Sequence, residues 1–204
     1  LFRSTLMARK DLPFKDLREL VTHAKSNANK LSYASAGNGS GQHVLAAALW
    51  HLAGVELVHV PYRGAQAAYQ DLLGGRVDVF FDLAPTARVQ VDAGNARALA
   101  TSGAARNTMH PDVPTLIETG VTGSAALELE SWFGLFVPAK TPADVQAVLR
   151  TELAKVTSAS ETASVFSKAG GRPLTLKFDD AKQLVRRDVE RWTKLIKTIG
   201  VKPE

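Results

Sequence analysis

An α/β protein, built on a largely parallel sheet flanked by helices, is what this sequence predicts, and three observations carry that expectation. Five short β-leaning runs alternate with apolar-striped helical runs between Leu1 and Thr101. A glycine-dense turn, Gly37-Asn-Gly-Ser-Gly41, joins one such run directly to a helix. The chain has 204 residues and a 45% apolar share, enough for a real core in one domain or two small lobes. Strands and helices alternating at this spacing pair in parallel through crossovers of one hand, and such sheets bind ligands beyond the carboxyl ends of their strands.

Each element has its own signal. Leu1 to Ala8 reads as a strand already in progress, and Asp11 opens a loop into a helix that carries Leu17, Leu20, Val21 and Ala24 on one side. Strand Leu31–Ser35, helix Gln42–Ala53, strand Glu56–Pro61, helix Ala65–Leu73 and strand Val77–Phe81 follow, then a shorter helix over Thr86–Asp92 and a strand over Arg97–Thr101. Met109 to Gly123 is proline- and glycine-rich, as a crossing segment is, and Glu130–Val137 is strand-like. Thr141-Pro142-Ala-Asp144 supplies a capping hydroxyl, a proline in the first turn and an acid at the positive end of a helix that runs to about Val156. The last helix spaces Leu184, Val185, Val189, Trp192, Leu195, Ile196 and Ile199 helically and stops at Gly200, which makes Trp192 a packing residue.

Composition excludes several classes. No tract is long enough to span a bilayer, and the absence of cysteine removes disulfide frameworks, thiolate zinc sites and cysteine nucleophiles. The net charge of +5 favours an anionic partner, yet the densest basic group, Lys177 to Lys197, alternates with Asp179, Asp180, Asp188 and Glu190 on one helix. That is a solvated face rather than a nucleic-acid surface, so the partner is expected to be a small anion. The first residue is Leu1 and no signal peptide is visible, so the expectation is a removed leader or a piece of a longer chain.

The glycine turn is the richest feature. The first amides of a helix lack partners within it and carry the positive end of its dipole, and glycines let a ligand approach them. Ser35, Asn38 and Ser40 add side-chain donors, so Ser35, Ala36, Gly37, Asn38, Gly39 and Ser40 form a seat for a carboxylate or phosphate. The same glycines also fit a plain tight turn. A nucleotide P-loop needs a lysine, and none lies between Lys30 and Arg63. A dinucleotide fingerprint needs an acid ending the next strand, where this chain has Val60-Pro61-Tyr62-Arg63. Arg63 could meet the extra phosphate of NADP, so an NADP-dependent oxidoreductase using Gly37–Gly41 remains the alternative.

Catalytic and metal residues are expected to be none. Asn38 and Gln42 stand where a nucleophile elbow around Ser40 needs glycine, and His43, His51, His59 and His110 lack ligand spacing. His43 is either a base beside Ser40 or a local partner of the loop. The strand ends that topology brings to one rim are Ser35–Ser40, Tyr62–Ala65, Asp82–Pro85 and Thr101–Gly103. Tyr62 offers an aromatic wall, Arg63 a cation, Gly64 an amide at a helix start, and Asp82 an acceptor for an amine or hydroxyl. Each also has a plainer role: edge-of-core aromatic, surface cation, helix cap.

With those residues in place, the chain resembles the periplasmic solute-binding receptors of tripartite tricarboxylate transporters, the Bug or TctC-like group. The resemblance runs in order through Leu31-Ser-Tyr-Ala-Ser-Ala-Gly-Asn-Gly-Ser with His43, His59-Val-Pro-Tyr-Arg-Gly64, Asp71-Leu-Leu-Gly-Gly-Arg-Val-Asp78, Arg97-Ala-Leu-Ala, Pro111-Asp-Val-Pro-Thr115 and Trp132-Phe-Gly-Leu. It implies a periplasmic binding protein of the type II-like Venus flytrap kind, which closes on a small carboxylate and hands it unchanged to a membrane permease. It also implies no cofactor, a monomer, and bridging waters at the carboxylate. The ligand would lie on the 35–40 loop, His43, Tyr62, Arg63, Gly64 and Asp82. The implied layout is a crossover strand over 1–8, a second lobe over 9–128, and a return crossover with the C-terminal part of an incomplete first lobe over 129–204. Ala46, Ala47 and Ala48 stand where the family's helix commonly carries an acid.

Overall fold

The computed structural model describes residues 2–127 and 130–201. Strands β1 (Ser4–Arg9), β2 (Ser32–Ser35), β3 (Val58–Pro61), β4 (Val79–Leu83) and β5 (Ala96–Thr101) form one sheet in the order β3-β2-β4-β1-β5. Helices α1 (Leu17–Ser26), α2 (Gly41–Ala53), α3 (Ala65–Leu73) and α4 (Ala84–Asp92) alternate with these strands, so the expected elements are present with small shifts at their ends. Helices α5 (Ala143–Ser158), α6 (Ser160–Lys168) and α7 (Phe178–Ile199) follow.

The sheet is mixed rather than wholly parallel. Strand β2 pairs in parallel with β3 and β4, whereas β1 lies between β4 and β5 and runs antiparallel to both. The cause is where the α1 connection returns the chain. Arg9 at the end of β1 and Ser32 at the start of β2 meet on one carboxylate: Asp78 accepts from Arg9 Nε at 2.9 Å and from the Ser32 amide and hydroxyl at 2.7 and 2.9 Å. The chain therefore re-enters the sheet at the end it has just left, and β1 is reversed. A largely buried acid with one cation and two neutral donors is stable there because each oxygen is bonded.

Alternation along the strands divides the core. Leu6, Ala8 and Phe81 face one side with Leu20, Leu49 and Trp50, while Met7 and Phe80 face the other with Ala68, Tyr69, Leu72 and Ala87. After Leu127 this changes. None of the residues of α5, α6 or α7 is buried, and Phe133, Phe136, Val148 and Val165 are 71%, 68%, 61% and 59% exposed. The strand expected over Glu130–Val137 reduces to one antiparallel bridge, Phe2 with Ser131, because no second edge is present for the rest to pair with among the described residues. Trp192, Leu195 and Ile199 do pack on the main core, as their spacing predicted.

Candidate anion-binding site

Parallel pairing brings the carboxyl ends of β2, β3 and β4 to one rim, side by side in the sheet. The glycine loop follows β2, and its neighbour is the Tyr62–Gly64 turn after β3: the Tyr62 amide donates to Ser35 O at 3.0 Å. Gly37 and Gly39 have φ of +134° and +71°, values that side chains other than glycine's rarely adopt. A Cβ on Gly37 would stand 3.5 Å from Tyr62 O, so the two turns are in contact.

Ser40 is the N-cap of α2. Its Oγ accepts from the His43 amide at 3.3 Å, and the amides of Gly41 and Gln42 are left without a partner among the described residues. The cap accepts, so the Ser40 hydroxyl hydrogen is still available to an incoming oxyanion. Asn38 and Gly39 are exposed and Ala36, Gly37 and Ser40 half-buried, so this face is open to solvent. Ser35 is different. It is fully buried, its Oγ lies 3.0 Å from Gly37 O and 2.7 Å from His59 Nε2, and it accepts from the Gly37 amide at 3.2 Å. Ser35 shapes the loop from beneath.

His43 and His59 lie under the same loop. Their rings stack with centroids 3.8 Å apart and planes 7° from parallel, and Tyr33 stacks on His59 at 4.9 Å. His43 Nδ1 accepts from the Gly39 amide at 3.0 Å. Burial holds His43 below the ordinary histidine value, and His59 is pushed down to about 4, first by burial and then by His43. Both rings are therefore neutral near pH 7. Sequence reading singled out His43 but not His59; register pairs Tyr33 with His59 across β2 and β3, which places the ring only once strand order is known.

The remaining candidates divide. Arg63 is exposed and has no ion-pair partner among the described residues, so it is a free cation beside the loop. Gly64 precedes α3 at φ +103°, with no side-chain cap. Tyr62 donates its hydroxyl to Asp71 at 2.8 Å, and burial together with Asp71 pushes that hydroxyl up to about 12. Asp82 is 3% exposed and accepts from Tyr69 at 2.9 Å, Thr86 at 2.7 Å and Gln42 at 3.3 Å. Through Gln42 it ties the first turn of α2 to β4. Nothing local in the sequence marks Gln42, Tyr69 and Thr86 as partners, since three different elements contribute them.

The model of the tripartite tricarboxylate transporter family receptor matches residues 2–201. The chain belongs to that receptor family. Among curated relatives of the receptors, a protein from Pseudomonas sp. (strain P51) described as a UPF0065 protein in the tcbD-tcbE intergenic region is 37% identical over 95% of this chain and 57% of its own length. Protein BugT of Bordetella pertussis is 25% identical over 97% of the chain and 60% of its own length. The chain thus spans about three fifths of these relatives. Among solved structures, R. palustris Rpa4515 with adipate superposes with a TM-score of 0.91 at 29% identity, covering 100% of this chain and 67% of that one. The periplasmic binding protein BugD gives 0.88 at 31% identity, with 100% and 68% covered. MatC from Rhodopseudomonas palustris with bound malate gives 0.82 at 28% identity, with 96% and 66% covered. The family is one of receptors rather than enzymes, which counts against the dinucleotide alternative.

Proposed function

We propose that this chain is the larger part of an extracytoplasmic receptor that captures a small mono- or dicarboxylate in the periplasm and presents it to the permease of a tripartite tricarboxylate transporter. The observation that carries the reading is the start of α2: two unpartnered amides and the Ser40 hydroxyl at the positive end of a helix, under an exposed glycine loop with the free cation Arg63 beside it. Two of the solved structures that this chain superposes on hold adipate and malate, which supports carboxylates over other anions. The ligand rests on the 35–40 loop and on Tyr62, Arg63 and Gly64, with His43 and Asp82 completing the site from beneath, and waters bridge part of the carboxylate contact. The receptor acts as a monomer.

Residues 129–204 belong, in this reading, to the C-terminal part of a first lobe, joined to the second lobe over 9–128 by the crossings at Phe2 and Ser131. Their exposed apolar faces and the greater length of the relatives support that layout. Calorimetric titration of the full-length protein with adipate, malate, aromatic acids and acidic amino acids tests the function. Saturable binding to at least one of them is expected; no heat across the panel, with tight binding of NADPH instead, rejects it.

A further inference from the structure

The glycine loop is held in shape by two imidazoles rather than by charge. Gly39 reaches His43 Nδ1, and Ser35, whose Oγ bonds both the amide and the carbonyl of Gly37, also reaches His59 Nε2. An Nδ1 that accepts carries no proton, so His43 is the neutral tautomer with hydrogen on Nε2. A proton added to Nδ1 would set two N–H donors against each other at 3.0 Å. A proton on either ring would also lay an imidazolium face to face on its neighbour at 3.8 Å.

We propose that the stacked His43–His59 pair is a pH-sensitive lock on the glycine loop: neutral rings hold Gly39 and Ser35 in place, and protonation of the pair releases the Gly39 amide and reorganises the loop. His43 and His59 act here as positioning residues, through Gly39 and Ser35. Among the described residues their surroundings offer no counter-charge that would offset a cation. From β2 the titratable neighbour is Tyr33, whose hydroxyl burial pushes up to about 12, so it stays neutral. Helix α2 holds no Asp, Glu, Lys or Arg from Gly41 to Ala53, and its other histidine, His51, lies at its far end. The turn at Ser124–Leu127 that packs on α2 is uncharged, and α7 approaches the core through Trp192, Leu195 and Ile199. Asp82 on β4 bonds Tyr69 and Thr86 and reaches the first turn of α2 through the neutral Gln42 amide rather than through either ring, and Arg63 lies past the end of β3, exposed. No carboxylate bonds either ring among the described residues. Burial accordingly lowers the proton affinity of both rings, and His43 lowers that of His59 further.

The test needs no ligand, so its failure and the failure of the carboxylate reading are separate events. Isotope-labelled full-length protein is titrated from about pH 7.5 to about pH 4 while the Gly39 amide and both histidine ring signals are followed by NMR. The Gly39 amide should move with the midpoint of His43, below the ordinary value of about 6.5. In His43→Asn the side-chain amide oxygen replaces Nδ1 as acceptor without titrating, so the Gly39 signal should hold still over the whole range. In His59→Gln the stacked ring is gone, and the His43 midpoint should rise. A Gly39 signal that ignores the His43 titration, or that moves in His43→Asn as in the wild type, overturns the lock. An unchanged His43 midpoint in His59→Gln overturns the coupling. If His43→Asn does not fold, the wild-type co-titration and His59→Gln still decide.

Discussion

Ser40 does two things with one hydroxyl. It caps α2 by accepting from the His43 amide, and its hydrogen is left to donate to a ligand, so a substitution there alters both stability and binding. Ser40→Ala removes a ligand donor, and through the cap it adds a stability cost of about 1 kcal/mol. Ser40→Gly separates the two, because glycine at this position costs only a few tenths of a kcal/mol while removing the same donor. Both variants should lose about tenfold in carboxylate affinity by calorimetry, with only Ser40→Ala showing a clearly lower urea midpoint. Arg63 is exposed and has no ion-pair partner among the described residues, so Arg63→Ala should lower affinity by about tenfold or more with the melting temperature unchanged. The histidines set the pH dependence of folding. His43 and His59 bind protons less readily folded than unfolded, so their contribution is fully present above about pH 6.5 and is lost as pH falls, through about 4 for His59. Thermal melts between those limits should fall with acidification, and His59→Gln should flatten the slope.

At the level of elements, two junctions hold the sheet and its cover. Asp78 binds the end of β1 to the start of β2, and its side chain is only 11% exposed. Asp78→Ala leaves Arg9 half-buried without that partner and strips Ser32 of its acceptor, so about 3 kcal/mol should be lost in a denaturant titration. Gly123 lies where the chain passes α2: φ is +77° and an added Cβ would stand 2.5 Å from Leu52 Cβ. Gly123→Ala therefore strains the backbone and overpacks the contact at once, and about 2 kcal/mol of destabilisation is expected from the same measurement. Helices α1 to α4 were readable because their apolar stripes and caps lie within one turn of each other in sequence. Helix α6 was not anticipated, since Ala159 separates it from α5 without glycine or proline to mark the break.

Across the whole molecule, the apolar surface is unevenly covered. The sheet and its helices enclose a dense core, while Phe133, Leu135, Phe136 and the outer faces of α5 to α7 remain exposed beyond what a monomeric surface usually shows. If residues 129–204 complete a first lobe in the full-length protein, that protein should bind the dye ANS far less than this chain alone; equal dye binding would count against the layout. The sequence by itself determined the alternation of strands and helices, the glycine turn and the donors at the start of α2, because those depend on backbone preferences and capping over a few residues. Tertiary structure alone decided that β1 runs backwards between β4 and β5. It also decided that His59 lies against His43 and that Asp82 gathers Gln42, Tyr69 and Thr86. Those partners are set by strand order and register, and a pairing made across the sheet leaves no periodic trace in the chain that makes it.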